Sequence, residues 1–102
     1  MTGPRIKYKN ARFGIYHILS RVETASCRQI IEMFIDADCG YFVLQPNVLA
    51  GKMRVWGYQL NRAGEGQRVG TWQIGPNVVE PEISRTMPRR FMEYLDRNHP
   101  AQ

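Results

Sequence analysis

The stretch SCRQIIEMFIDADCG, residues 26–40, carries the clearest secondary-structure signal in the chain. Its apolar side chains recur at the three- and four-residue spacing of one helix face: Cys27, Ile30, Ile31, Phe34 and Ile35. Thr24 or Ser26 can cap the start, and Ser26 with Gln29 has the spacing of a capping box. Gly40 follows the last periodic residue and is a residue type that ends many helices. We therefore expect an amphipathic helix here, packed by its apolar stripe.

The segments around this helix favour strands. RFGIYHILSRV, from Arg12, is rich in β-branched and aromatic residues, which favours a strand. Its apolar residues also fit helical spacing, so the alternative of a helix stays open at this point. Downstream, strands are predicted over Tyr41–Gln45, Lys52–Leu60 and Arg68–Ile74. Pro46 and Asn47 separate the first two, and NRAGEGQ forms a hairpin loop between the last two.

A second helix is predicted near the end, in PRRFMEYLDRN, with Pro88 in its first turn. Phe91, Met92 and Leu95 would face inward, and the helix would end before His99. The predicted order is β-α-β-β-β-α. It describes a small α+β fold, with an antiparallel sheet of three to four strands and two helices, in a single domain over residues 12–102. Residues 1–11 are expected to form a flexible basic arm.

Length and composition exclude several classes of protein. A chain of 102 residues suits one domain. It has no apolar run like that of a signal peptide and no window near 20 apolar residues, so we expect a cytoplasmic protein with no membrane association. The proposed helix would hold Cys27 and Cys39 roughly 18 Å apart, too far for a disulfide. With only two histidines, no zinc-binding pattern exists, and we expect no metal and no cofactor.

Positive charge is spread unevenly along the chain. The net charge is +5, and residues 1–30 hold six basic side chains against Glu23 alone. Residues 31–50 hold only acidic ones, and residues 51–78 are basic again. Excess positive charge favours anionic partners, by long-range attraction and, for nucleic acid, by counterion release.

The predicted hairpin sorts its side chains into two faces. Centred between Gly64 and Glu65, it places Leu60 opposite Val69. The predicted core face holds Met53, Val55, Trp72 and Ile74, and the predicted outer face holds Lys52, Arg54, Trp56, Tyr58, Leu60, Val69, Thr71 and Gln73. Cations beside aromatic rings suit a single-stranded nucleic acid, and equally a protein interface. The alternative is that the last helix covers Trp56 and Tyr58, and a shift of one residue would exchange the faces.

The segment FIDAD, Phe34 to Asp38, resembles the end of the motif of the LAGLIDADG homing endonucleases. In that family a motif helix packs on its partner through small residues and ends in an acid that binds a divalent metal at the DNA. The resemblance implies that Asp38 would be this acid. Glu32 and Met33 stand where the family has small residues, Cys39 stands where it has glycine, and the order of the following elements differs.

These patterns predict a non-enzymatic intracellular binding protein that engages an anionic surface, either nucleic acid or a complex that handles nucleic acid. The residues predicted to make the contact are Lys52, Arg54, Trp56 and Tyr58 on the hairpin, with Arg5, Lys7, Lys9 and Arg12 in the arm. The alternative is a protein–protein inhibitor or adaptor that docks the same patch on an acidic partner. A metal-dependent nuclease using Asp38 is a distant third hypothesis. The oligomeric state is left open.

Overall fold

Helices make up most of the described chain. The computed structural model describes residues 8–37, 45–61, 70–82 and 89–100. Within these ranges the elements are α1 (Tyr8–Val22), α2 (Cys27–Asp36), α3 (Pro46–Val55), β1 (Gln59–Asn61), β2 (Thr71–Gln73) and α4 (Arg89–Asn98). The predicted fold, a sheet of three to four strands with two helices, is therefore wrong. The described residues form four helices and one two-stranded antiparallel sheet.

Helix α1 occupies the segment where the first strand was predicted. Ile15, Ile18 and Leu19, at positions i, i+3 and i+4, are all buried. The helical spacing of the apolar residues therefore predicts this element correctly, and the content of β-branched residues does not. Intrinsic strand propensity is weak and is readily outweighed by burial of a continuous stripe. Because α1 begins at Tyr8, residues 8–11 are helical, with Asn10 and Ala11 buried, and the predicted arm does not extend through them. Residues 1–7 lie outside the described residues.

Helix α2 confirms the prediction for this segment, including its capping box. The Ser26 N–H donates to Gln29 Oε1 at 2.8 Å, and the Gln29 N–H donates to Ser26 Oγ at 3.2 Å. Ile30 and Phe34 are fully buried, whereas Ile35 is 56% exposed and lies off the core. The helix ends at Asp36 with Ala37 as its C-cap, and the predicted stop at Gly40 lies outside the described residues.

Helix α3 replaces the first half of the predicted strand over Lys52–Leu60. Pro46, expected to break the chain between two strands, stands in the first turn of the helix, where its missing N–H costs nothing. Leu49 and Met53, four residues apart, are both buried and bind α3 to the core. Of the predicted strand over Tyr41–Gln45, residues 41–44 lie outside the described residues, and Gln45 is the N-cap of α3.

Strands β1 and β2 pair in a register that differs from the predicted one. Leu60 lies opposite Trp72, and Gln59 lies opposite Gln73. The prediction paired Leu60 with Val69, three positions away, and an odd shift moves the side chains of β1 to the other face relative to those of β2. Leu60 and Trp72 therefore share a face instead of lying on opposite ones. The loop residues 62–69 lie outside the described residues.

The core joins three helices around two phenylalanine rings. Phe34 of α2 stacks on Phe91 of α4, with their ring centroids 5.1 Å apart. Both rings press against α1 at Gly14, where an added Cβ would lie 2.6 Å from Phe34 Cε1 and 3.1 Å from Phe91 Cζ. As predicted, Phe91 and Leu95 of α4 are buried. On the surface, Arg21 of α1 and Asp96 of α4 form an ion pair at 2.6 Å.

The close approach at Gly14 predicts opposite effects for two glycine-to-alanine substitutions. Gly14→Ala is expected to lower the free energy of unfolding by about 1–3 kcal/mol, because the stacked Phe34 ring has no room to move away. The matched control is Gly51→Ala in α3, where a Cβ would meet no atom within 4 Å. It is expected to raise stability by up to about 1 kcal/mol, through helix propensity alone. Urea denaturation measures both, and a neutral Gly14→Ala variant would contradict the packing described.

The end of α1 predicts a stabilising substitution. Glu23 has a φ of 66°, the left-handed conformation that costs a residue with a side chain about 1–2 kcal/mol. Glu23→Gly is expected to raise the melting temperature, since glycine adopts this conformation without a steric cost. Glu23→Ala is the control, because it removes the charge and keeps the Cβ. Equal melting temperatures for the two variants would mean that the backbone conformation is not the cause.

Candidate anion-binding site

A groove of about 340 Å³ runs from the first turn of α2 along the side of α3, beside the hairpin. We name it the α2–α3 groove, and its lining consists of Cys27, Arg28, Pro46, Asn47, Ala50, Arg54, Leu60, Gly70 and Trp72. Helices α2 and α3 supply two walls, and the hairpin supplies the third. The volume falls at the lower end of the range for small-ligand sites.

The charged residues in this lining are both arginines. Arg28 comes from the first turn of α2 and Arg54 from the last turn of α3, and both are exposed. None of the described lining residues is acidic. Neither arginine forms an ion pair with a residue in the described part of the chain. Two guanidinium groups therefore border one groove whose described lining residues include no carboxylate.

The starts of the two helices add partial positive charge to this region. Cys27 and Arg28 lie in the first turn of α2, and Pro46 and Asn47 lie in the first turn of α3. Aligned peptide dipoles make the beginning of a helix electropositive. The side chain of Gln45, the N-cap of α3, makes no capping hydrogen bond. The backbone therefore favours an anion near the first turns of the two helices, whereas Arg54 lies at the opposite, electronegative end of α3.

The inner lining of the groove is apolar. Trp72 is 3% exposed, and Leu60 and Ala50 are half-buried. Gly70 lies close to the Leu60 side chain, because a Cβ added at Gly70 would come within 2.9 Å of Leu60 Cδ1. A ligand here would contact hydrocarbon in the interior and guanidinium groups at the rim.

Cys27 lines the groove as a protonated thiol. Burial raises the pKa of this thiol, and a hydrogen bond with the Trp72 side chain only partly offsets that effect. The thiolate is the nucleophilic form, so a thiol with a raised pKa is a poor nucleophile at neutral pH. The raised pKa therefore weighs against Cys27 as a nucleophile in the groove.

The residues predicted on the hairpin separate in the structure. Lys52 and Arg54 belong to α3, and of the two only Arg54 lines the groove. Tyr58 is 5% exposed, and burial raises the pKa of its phenol. The positive charge of Arg12 lowers that pKa, and Tyr16 raises it. Tyr58 therefore offers no ring face to a ligand. It is part of the core.

Trp56 keeps part of its surface and has a cationic neighbour. It is half-buried as the C-cap of α3, and the Arg12 guanidinium carbon lies 5.7 Å from its ring centroid. At this distance the two attract through a cation–π interaction. Of the other residues predicted in the arm, Arg5 and Lys7 lie outside the described residues. Lys9 belongs to α1.

Sequence reasoning missed Arg28, Asn47 and Trp72 as site residues. Arg28 was visible as a polar residue on the outer side of the α2 stripe, but nothing in the chain order links it to Arg54. Trp72 was assigned to a core face, and its burial agrees with that, although it also lines the groove. The grouping arises because α3 is a helix that packs beside α2.

The described residues contain no group of three or more His, Cys, Asp or Glu side chains that could hold a metal ion. Asp38, the acid suggested by the endonuclease resemblance, lies outside them.

His17 packs against the ring of Phe13, with the two ring centroids 4.4 Å apart, and burial, together with the nearby Arg21, lowers the pKa of His17. Among the helices in the described ranges, none has the length and apolar character needed to cross a membrane.

No protein-family model, curated protein or solved structure matches this chain.

The raised pKa of Cys27 predicts slow reaction with a thiol reagent. In a Cys39→Ser variant, the remaining thiol is expected to react near neutral pH well below the rate of a free cysteine. Denaturant is expected to restore the ordinary rate. The absorbance of the thiolate released from an aromatic disulfide reagent measures both rates. Rapid reaction in the folded protein would show an accessible thiolate and would reopen a nucleophilic role.

Proposed function

We propose that this protein is a non-enzymatic binding protein that engages nucleic acid, or a complex carrying nucleic acid, at the rim of the α2–α3 groove. The supporting observation is that Arg28 and Arg54, both exposed, border one groove whose described lining has no acidic residue. This proposal keeps Arg54 from the sequence prediction. It replaces the hairpin face with the groove as the contact surface.

Arginine pairs of this kind fit phosphate better than they fit most other partners. A guanidinium group presents its donors in a rigid fork that matches two phosphate oxygens at once. Contacts to phosphates release condensed counterions, which makes the binding strongly dependent on salt. The net charge of +5 adds a long-range attraction that brings a polyanion to this surface.

Trp56 and Arg12 extend the proposed contact beyond the groove. Trp56, the C-cap of α3, keeps part of its surface but is not among the lining residues of the groove, so it would add a separate aromatic contact. Arg12 holds its charge over the same ring. Tyr58 is removed from the proposed contact because it is buried.

The second candidate function is a protein-binding adaptor, and exposed valines favour it. Val48 and Val55 of α3 are 43% and 80% exposed, and a spacing of seven residues places them on one side of the helix. Such a stripe beside arginines is also what an acidic protein partner would contact. Loss of binding on substitution of the valines, with little dependence on salt, would favour this candidate.

Nucleic-acid binding predicts a specific dependence on salt. A labelled single-stranded oligonucleotide is expected to bind at about 50 mM salt and to weaken steeply toward about 200 mM. In Arg28→Gln/Arg54→Gln, two phosphate contacts are lost, so the slope of log affinity against log salt is expected to become less steep by roughly 1.4. Fluorescence anisotropy across the salt series gives both values.

The matched control is Arg89→Gln/Arg97→Gln, which removes the same charge from exposed positions of α4. Its slope is expected to stay close to that of the unmodified protein. An equal effect of both double variants would mean that overall charge, and not the groove, drives binding. Absence of binding at about 50 mM salt would refute the proposal. Adding magnesium to the same mixtures would reveal any nuclease activity as shortened oligonucleotide.

A further inference from the structure

We infer that the α2–α3 groove takes up one unpaired base of a single-stranded nucleic acid, while Arg28 and Arg54 hold the phosphates on either side of it. This inference rests on the proposed function and adds to it a preference for single strands. The observations behind it are the size of the groove, its apolar interior and the placement of the two arginines on different helices.

The size of the groove suits a single nucleotide and not a duplex. Its volume of about 340 Å³ is that of a small-ligand site, far too small for two paired strands. In a duplex the bases are stacked inside, and an enzyme or binding protein reaches a base there only by flipping it out at a cost of a few kcal/mol. A single strand can present a base without that cost.

The lining of the groove matches the chemistry of a base. Ala50, Leu60 and the edge of Trp72 give an apolar surface for the base to contact. Asn47 brings an amide with both donors and an acceptor, the groups that pair with a base edge. Because Trp72 is nearly buried, its ring face is not available for full stacking. The base is therefore held by contact with this apolar surface and by the Asn47 amide, while the two arginines bind the phosphates.

The two arginines explain why a strand would bind better than a free nucleotide. Arg28 is carried by α2 and Arg54 by α3, so the cations stand on separate walls of the groove. A base within a strand has a phosphate on each side and can use both cations. A nucleoside monophosphate has a single phosphate group and so lacks the second phosphate that a strand offers to the other arginine.

Filling the groove tests this inference without changing charge. Ala50→Met adds a flexible apolar side chain to the lining at a helix position that accepts methionine well. We expect its affinity for a single-stranded oligonucleotide to fall severalfold, because the added side chain occupies volume that the base would fill. Its affinity for a duplex of the same sequence is expected to stay within about twofold, because phosphate contacts at the rim do not need the interior.

Val48→Met is the matched control on the same helix. Val48 is exposed and does not line the groove, so both affinities are expected to stay unchanged. Thermal unfolding of both variants shows whether the fold is intact. Ala50→Gly is a second test at the groove position, because it enlarges the groove and is expected to retain the preference for single strands. Loss of that preference in a folded Ala50→Gly variant would contradict the inference.

Photocrosslinking locates the base directly. An oligonucleotide with one 5-iodouracil is expected to crosslink to residues that line the groove, within 27–28, 46–54, 59–61 or 70–72. Ala50→Met is expected to lose this crosslink, and Val48→Met is expected to keep it. A crosslink confined to α4 would overturn the inference.

The outcomes separate this inference from the proposed function. Equal binding of single strands and duplexes, with Ala50→Met neutral, would overturn the base-binding groove and leave the cationic rim in place. Equal weakening of both nucleic acids by Ala50→Met would also overturn it, since the added side chain would then act on the rim. No binding to any oligonucleotide would overturn both.

Discussion

The contact between Gly14 and the stacked rings of Phe34 and Phe91 is the constraint on which the helical core depends. It joins α1, α2 and α4 at one point, and only a residue without a side chain allows the rings to approach the α1 backbone so closely. The buried stripe of α1 then packs around this point. Because protein interiors are close-packed, such an approach sets the positions of the helices relative to one another.

A second contact places the hairpin against this helical core. The Ala25 N–H donates to the Trp72 carbonyl at 3.1 Å, and the Trp72 N–H donates to the Ala25 carbonyl at 2.8 Å. Ala25 lies in the short connection before α2, so this bridge holds β2 beside the first turn of α2. Trp72 is therefore both a core residue and part of the groove lining. The position of the hairpin forms one wall of the groove. Trp72 therefore contributes both to the attachment of the hairpin and to the shape of the groove.

Local signals were sufficient for two of the helices. The capping box at Ser26 and the stripe through Ile30 and Phe34 identified α2, and the spacing of Phe91 and Leu95 identified α4. They failed for α1 and α3, where β-branched and aromatic residues made helical segments look extended. Pro46 was interpreted as a break, although the same residue type is also common in the first turn of a helix. Each of these signals has two structural meanings, and the choice between them depends on which residues can be buried together.

The sequence alone established the length and basic charge of this protein and its amphipathic helices α2 and α4. It also suggested Arg54 as a contact residue. Those properties depend on composition and on neighbours a few positions apart. Contacts between segments far apart in the chain decided the rest. They form the groove, bring Arg28 and Arg54 to it, and bury Tyr58. The hairpin register shows the reason most directly: pairing Leu60 with Trp72 and not with Val69 turns Leu60 to the side of the buried Trp72, and the alternation of residues along the chain fits either pairing.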